Sequence, residues 1–200
     1  MEGRAGRGCY PCLSAVTVRE RLLGTTNMKL VLLTPNADPT LDLGQELAAY
    51  ASMLRPEVPD IEIGHAVIDR GPVRIETDDD VLAAAPEVVR KARSLVREGA
   101  DAVIIDCMSE PGLGEAQRSV PIPVVGPRSA VLAAAGGGPV TFVRDAAAAR
   151  RALAEGARVL SLCSTSLPDL AASLQATLGV RVLDPLPVAL WEAVRRVRVG

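Results

Sequence analysis

The chain has 200 residues, of which 48% are apolar, and a formal net charge of −2 at pH 7. This apolar content suffices for one well-buried domain or two tightly joined lobes, and the small net charge gives no basis for binding nucleic acid or an anionic membrane. No apolar run reaches the roughly 18 residues of a membrane span, and no secretory signal is visible. We therefore expect a cytoplasmic protein with reduced cysteines.

Residues 1–27 contain many glycines and arginines and show neither the strand nor the helix period. They predict a flexible tail, or a start codon assigned too far upstream, because Met28 stands directly before a clear strand. Cys9 and Cys12 form a Cys-x-x-Cys pair, which we interpret as incidental because a zinc ribbon needs a second pair. We predict no metal site.

Strands and helices alternate from residue 28 onward, which predicts parallel βαβ units. A first α/β lobe is expected over 28–127, with strands near 29–34 and 61–68, helices over 43–54 and 81–98, and a strand that leads into Cys107. A shortened second lobe is expected over 128–180, with one strand near 140–143 before the strand that leads into Cys163, and a closing strand and helix over 181–200. The predicted fold class is α/β: two pseudo-symmetric lobes of parallel sheet flanked by helices, the second truncated.

One unit of the chain occurs twice, and each copy ends in a cysteine. A Glu-Gly-Ala step, an apolar strand, a cysteine and a short polar turn containing proline come first around Cys107 and again around Cys163. Equivalent strand ends would present both thiols to one cleft. Since a predicted helix follows each cysteine, and a helix amino terminus favours a thiolate, we expect the pKa of both thiols to be lowered.

Four short motifs follow one another between residues 71 and 185: Gly71-Pro-x-x-Ile-Glu76, Cys107-x-x-Glu-Pro-Gly-Leu113, Pro123-Val-Val-Gly126, and Cys163 with the later Val182-Leu-Asp-Pro185. In this order they resemble the aspartate/glutamate racemase superfamily, and within it the hydantoin racemase branch. The resemblance runs from Met28 to about Val197. It implies a pseudo-symmetric two-lobed α/β fold and an isomerase that needs no cofactor.

The resemblance further implies a racemase or epimerase of hydantoin or amino-acid-type substrates. Cys107 and Cys163 would be the catalytic acid/base pair: one thiolate removes the proton from a carbon next to a carbonyl, and the other thiol returns a proton from the opposite face. The expected partners are a small-molecule substrate and further copies of the chain, in a homodimer or higher homo-oligomer.

Six residues near the two cysteines and on neighbouring loops are candidates for binding the substrate. Backbone N–H groups and hydroxyls at four of them can hold a carboxylate or imide oxygen, and an arginine can bind an anion. The candidates are Asn36, Arg74, Met108, Ser109, Ser164 and Thr165. We expect His65, in mid-strand, to be structural, and Asp106 to face away from Cys107 and so to be a poor base for the same substrate.

The sequence departs from the family pattern in its first loop, in its glycine-proline loop and in the spacing of its cysteines. Thr34-Pro-Asn36-Ala37 replaces the usual Asn-Pro-Asn-Thr, Arg74 replaces a serine, and Cys163 follows Cys107 by only 56 positions. Two alternatives therefore stay open. One is a single-cysteine decarboxylase or cis-trans isomerase on the same fold, and the other is a non-catalytic homologue that binds a metabolite or a partner.

Overall fold

A computed structural model describes residues 27–165 and 170–200. The elements of this part, in chain order, are β1 (Met28–Thr34), α1 (Gly44–Leu54), β2 (Ile61–Val67), α2 (Asp78–Arg97), β3 (Ala102–Ile105), α3 (Leu113–Ser119), β4 (Val124–Val125), α4 (Pro127–Ala134), β5 (Thr141–Val143), α5 (Ala146–Ala154), β6 (Val159–Leu162), α6 (Leu170–Leu178), β7 (Arg181–Leu183) and α7 (Pro185–Val199). The predicted tail, with Cys9 and Cys12, lies outside the described residues apart from residue 27.

Two separate parallel sheets carry the fold. The first has the strand order β2-β1-β3-β4 and the second the order β5-β6-β7. Parallel neighbours need long crossover connections, and here helices supply them and cover the sheets. The predicted α/β class with a smaller second lobe is confirmed. Within the second sheet, β5 is the one strand that comes before β6, the strand that leads into Cys163. The predicted end of the first lobe, at residue 127, coincides with the first residue of α4. The predicted end of the second lobe, at residue 180, lies between α6 and β7.

The first sheet has an apolar layer on each face because successive side chains of a strand point in opposite directions. Leu30, Leu32 and Ile104 pack on one face with residues of α1 and α7. Val31, Leu33 and Ile105 pack on the other face with residues of α2. The second sheet has one such layer, formed with α5 and α6. Both faces of the first sheet are therefore closed, and its carboxyl edge is left for other contacts.

Helix α7 joins the two lobes. It follows β7 of the second sheet, yet it packs against β3 and β4 of the first sheet and against α4. Its buried residues Leu186, Leu190 and Val194 belong to the apolar layer that also holds Leu32 and Ile104. The chain therefore passes from the first lobe to the second and back again. None of the helices in the described ranges is long and apolar enough to cross a membrane.

Helix α2 begins three residues earlier than predicted, at Asp78. The side chain of Thr77 accepts a hydrogen bond from the Asp80 N–H, and the Asp80 carboxylate accepts from the Thr77 N–H at 2.8 Å. This reciprocal capping box satisfies two amides that a helix start otherwise leaves unpaired. The acidic run that we predicted to favour a helix amino terminus therefore forms the first turn itself.

Candidate active site

Both cysteines leave the carboxyl edge of an internal strand. Cys107 follows β3 by two residues, and Cys163 comes directly after β6, the middle strand of the second sheet. Both thiols are free; Cys107 is half-buried and Cys163 is exposed. The carboxyl edge of a parallel sheet is the usual place for ligands in α/β proteins. We name residues 107–112 the Cys107 turn and residues 163–165 the Cys163 loop.

The two cysteines are offset by one residue between the lobes. The Asp106 N–H donates to the Leu33 carbonyl at 2.9 Å and extends the pairing of β1 with β3, whereas the Cys163 N–H donates to the Val143 carbonyl at 3.0 Å and extends the pairing of β5 with β6. In backbone register, Cys163 is thus the counterpart of Asp106, and the counterpart of Cys107 is Ser164. The strand ends are equivalent, as predicted, but the thiols are not.

A partly buried polar cluster joins the two cysteine-bearing segments. The Oγ1 of Thr34 lies 3.0 Å from the Nε2 of His65 and donates to the Oδ2 of Asp106 at 3.4 Å. From the other lobe, the hydroxyl of Thr165 interacts with the same carboxyl group. Residues of β1, β2 and the end of β3 therefore meet the Cys163 loop at the carboxyl edge of the first sheet.

Burial sets the protonation of this cluster. It raises the pKa of Asp106, against the lowering effects of Thr165, His65 and Thr34. Burial also lowers the pKa of His65, against the opposing effects of the Asp106 and Asp42 charges. Both directions favour the neutral form of the group, as expected where charges lose their hydration.

Two buried oxygens in this region lack a hydrogen-bond partner among the described residues: the Oδ1 of Asp106 and the Oδ1 of Asn36. A buried polar atom left unpaired costs about 1–3 kcal/mol, so such atoms are uncommon unless a ligand or water pairs with them. Asn36 and Asp106 follow β1 and β3, which are neighbours in the sheet. The two oxygens thus mark the edge beside the cysteines as a place for a ligand.

The thiol of Cys107 does not lie at a helix amino terminus. The Glu110 N–H donates to the Cys107 carbonyl at 3.1 Å, and α3 begins only at Leu113, after Gly112 in the left-handed region. The side chain of Cys107 packs against the apolar layer beside α2, and burial raises its pKa; the Ser109 N–H and hydroxyl lower the pKa only in part. The expected lowering of the pKa is therefore wrong for Cys107.

Glu110 holds the Cys107 turn against α4. Its carboxylate accepts hydrogen bonds from the N–H and from the hydroxyl of Ser129, each at 2.6 Å. The N-cap residue of α4 is Gly126, which has no side chain to cap the helix, and a Cβ there would overlap the Glu110 carboxylate. Glu110 was predicted only as part of the Cys107 motif, and its pairing with Ser129 was not predicted. The available signal was a Gly-Pro helix start without a capping side chain.

On its other side the Cys107 turn lies against α2. Gly112 has a φ of 71°, and a Cβ at this position would come within 2.6 Å of the Ala85 carbonyl oxygen. Glycine alone allows both this conformation and this approach. The turn is thus fixed between α2 and α4, which sets the direction in which the Cys107 side chain leaves the sheet.

The candidate binding residues fall into three groups. Met108 and Ser109 lie in the Cys107 turn, and Ser164 and Thr165 lie in the Cys163 loop. Asn36 and Arg74 lie on loops joined by a hydrogen bond from the Ala37 N–H to the Pro72 carbonyl at 2.9 Å; the side chain of Arg74 is exposed, and its charge contributes to the lowered pKa of Asp38.

In the first two groups, Ser109 forms hydrogen bonds with Cys107, and Thr165 forms one with Asp106. Within residues 27–165 and 170–200, no three His, Cys, Asp or Glu side chains converge as metal ligands.

Residues 30–143 match the family model of the Asp/Glu/hydantoin racemases. The chain belongs to this family. A hydantoin racemase of Pseudomonas sp. (strain NS671) is 31% identical over 99 residues, which are 50% of this chain but only 38% of that relative. The matched stretch of the family model contains the Cys107 turn, Gly126 and Ser129, and it ends before Cys163.

Solved racemase and decarboxylase structures share the fold. An allantoin racemase from Klebsiella pneumoniae superposes with a TM-score of 0.75 at 21% identity, over 86% of this chain and 89% of that one. An arylmalonate decarboxylase superposes with a TM-score of 0.59 at 18% identity, over 86% and 93% of the two chains. At this identity the likeness establishes the architecture of both lobes and does not distinguish between the reactions.

The contact between Glu110 and Gly126 predicts a strongly non-additive pair of substitutions. Gly126→Ala should destabilise the protein by about 1–3 kcal/mol, because the new methyl group displaces the Glu110 carboxylate from Ser129. In Glu110→Ala the space is free, so adding Gly126→Ala should cost almost nothing further. Urea unfolding of the two single variants and the double variant measures this coupling. Gly64→Ala, where the nearest atom would be 3.8 Å away, is the control; additive losses would contradict the contact.

The raised pKa of Cys107 predicts slow alkylation at neutral pH. The thiolate is the reactive form, so the rate at Cys107 should be below that of a free cysteine at pH 7 and should keep rising above pH 9, where a free thiol levels off. Iodoacetamide labelling followed by peptide mass spectrometry separates Cys107 from the other three cysteines. A Cys107 rate that levels off below pH 8 would contradict the effect of burial.

Proposed function

We propose that the protein is a cofactor-independent racemase or epimerase that moves a proton at a carbon next to a carbonyl, with Cys107 and Cys163 as the acid/base pair. The observation that carries this proposal is the contact between Asp106 and Thr165, which brings the Cys163 loop to the edge where the Cys107 turn begins. Membership of the racemase family supports the same reaction class.

The reaction needs a base, a proton donor on the opposite face, and hydrogen-bond donors for the oxygen that becomes negative as the C–H bond breaks. Two thiols on loops from different lobes are suited to the first two tasks. Because its pKa is raised, Cys107 rests as a thiol, so it is the proton donor in the direction that starts with Cys163 as thiolate. In the reverse direction the roles exchange.

Hydrogen-bond donors for the substrate oxygen come from the two loops. We assign this task to the N–H groups of Met108, Ser109, Ser164 and Thr165 and to the three hydroxyls among them. The Ser109 N–H and hydroxyl interact with the Cys107 sulfur, which supports this assignment. Donors in fixed positions stabilise a developing anion without the reorganisation that water requires.

For the substrate we favour a hydantoin or a related cyclic ureide over a free amino acid. The buried, unpartnered Oδ1 of Asn36 accepts a hydrogen bond and needs a donor. A cyclic ureide has neutral ring N–H groups that supply one, whereas the ammonium and carboxylate charges of a free amino acid would lose their hydration at this buried edge. The names of two relatives, a hydantoin racemase and an allantoin racemase, agree with this choice. The exposed Arg74 leaves amino-acid-type anions as the second choice.

The second candidate function is a decarboxylation or cis-trans isomerisation that uses one cysteine. It is supported by the different surroundings of the two thiols, one half-buried and one exposed, and by the end of the family match before Cys163. A purely binding role is the third. A cytoplasmic location and a homodimer or higher homo-oligomer, both expected from the sequence, remain proposals.

Proton exchange in heavy water tests the reaction. The wild-type protein should replace the α-proton of a substituted hydantoin by deuterium, seen as loss of its proton NMR signal, and a panel of free amino acids should exchange more slowly. Cys107→Ser and Cys163→Ser should each lower the rate by about 10²–10⁴, the usual contribution of an acid/base group. Full activity in Cys163→Ser, with none in Cys107→Ser, would support the single-cysteine reaction, and no exchange by the wild type would refute the proposed function.

A further inference from the structure

Asp106 is a buried carboxyl group to which the two-cysteine reaction assigns no task. We propose that Asp106 is a further catalytic residue, whose neutral carboxylic acid donates a hydrogen bond from Oδ1 to the enolate oxygen that forms on the substrate. The inference rests on the proposed function. It concerns a residue outside the acid/base pair.

The position of Asp106 is the first support. It precedes Cys107 in the chain, it is the register counterpart of Cys163, and it contacts Thr165 of the Cys163 loop. Its side chain lies on the face of the sheet opposite to Cys107, as predicted, together with Thr34 and His65. A ligand beyond the carboxyl edge borders both faces of the sheet. A substrate between the two thiols is therefore next to Asp106 as well.

The hydrogen bonds of the cluster have one consistent direction. If the Nε2–H of a neutral His65 donates to the Oγ1 of Thr34 at 3.0 Å, the Thr34 hydroxyl donates to the Oδ2 of Asp106 at 3.4 Å. Oδ2 is then the carbonyl oxygen of the acid, and the acid proton is carried by Oδ1. The Thr165 hydroxyl also interacts with this carboxyl group, yet Oδ1 has no hydrogen-bond partner in the described part of the chain. A neutral acid with an unused O–H lacks only an acceptor, and an enolate oxygen is a strong one.

The surroundings keep the group neutral. Burial raises the pKa of Asp106. The titratable groups that interact with it electrostatically are His65 on β2 and Cys107 in the adjoining turn, and Asp42 interacts in the same way with His65. A charge on Asp106 would also raise the pKa of Cys107. Ionisation would thus remove the donor and oppose the thiolate at once. A carboxylic acid kept neutral by an apolar site is an established device for stabilising an enolate.

The proton balance involves the two thiols alone. The substrate C–H bond breaks as an S–H bond forms on the base cysteine, and the C–H electron pair moves to the carbonyl oxygen. Asp106 keeps its proton and shares it in a hydrogen bond. The S–H bond of the second cysteine then breaks as the new C–H bond forms, which leaves that cysteine as thiolate. No oxidant, reductant or further reactant takes part.

Two substitutions at Asp106 distinguish a role as hydrogen-bond donor from a role that needs a carboxylate. Asp106→Asn keeps a neutral donor of similar shape, and Asp106→Leu removes it. We expect α-proton exchange within about tenfold of wild type for Asp106→Asn and a loss of about 10²–10³ in kcat for Asp106→Leu, the effect of deleting one oxyanion donor. Asp79→Asn, an exposed aspartate in the first turn of α2, is the control and should leave the rate unchanged. Equal loss in both Asp106 variants would overturn the donor role.

The pH profile is a readout that a merely structural role would not change. The neutral acid is present below the raised pKa of Asp106 and is lost as pH rises through it. The wild-type rate should therefore decline as pH rises through this pKa, and Asp106→Asn should lack this step and decline only at the higher pH at which the Cys107 thiol loses its proton. Infrared spectra should show a protonated-carboxyl band at pH 7 in the wild type that is missing in Asp106→Asn.

An absent band, or a decline of the rate that is unchanged in Asp106→Asn, would overturn the inference while exchange by the wild type continues. No exchange by the wild type would overturn the proposed function and this inference together.

Discussion

The two hydrogen bonds from Ser129 to the Glu110 carboxylate are the constraint on which the site depends. They cap α4, whose own N-cap residue is a glycine, and they hold the turn that carries Cys107. The Glu110 carboxylate can lie beside Gly126 because this residue has no side chain, and Gly112 allows the same turn to approach α2. The proposed proton transfer needs a thiol held within a fraction of an ångström of its target, which a turn fixed on both sides can provide.

The second lobe is small, yet it still contacts the first through an apolar and a polar connection. On one side α7 returns from β7 to pack on β3 and β4, and at the carboxyl edge Thr165 contacts Asp106. The first connection is apolar and the second is polar. A lobe of three strands can therefore contribute a loop to the shared edge, as the proposed function requires.

Local patterns in the sequence were sufficient to predict the alternation of strands and helices, the short second lobe and the loops that carry both cysteines. They were not sufficient for the polar cluster, because His65 and Asp106 lie 31 and 72 positions from Thr34, and only the register of the sheet brings them together. The expected lowering of the Cys107 pKa was wrong for a similar reason. The sequence showed a helix after the cysteine, and the predicted start at Gly112 is within one residue of the observed start at Leu113, but the sequence did not show the apolar layer around the sulfur.

The central claim is that one cleft is shared by Cys107 and Cys163, and a bifunctional thiol reagent tests it most directly. Dibromobimane becomes strongly fluorescent only when both of its arms have reacted. At pH 9 the wild-type protein should give a fluorescent product whose digest contains the Cys107 and Cys163 peptides joined to each other, and a bound hydantoin should slow its formation. Separate single labels on the two cysteines, without the joined peptide, would contradict a shared cleft.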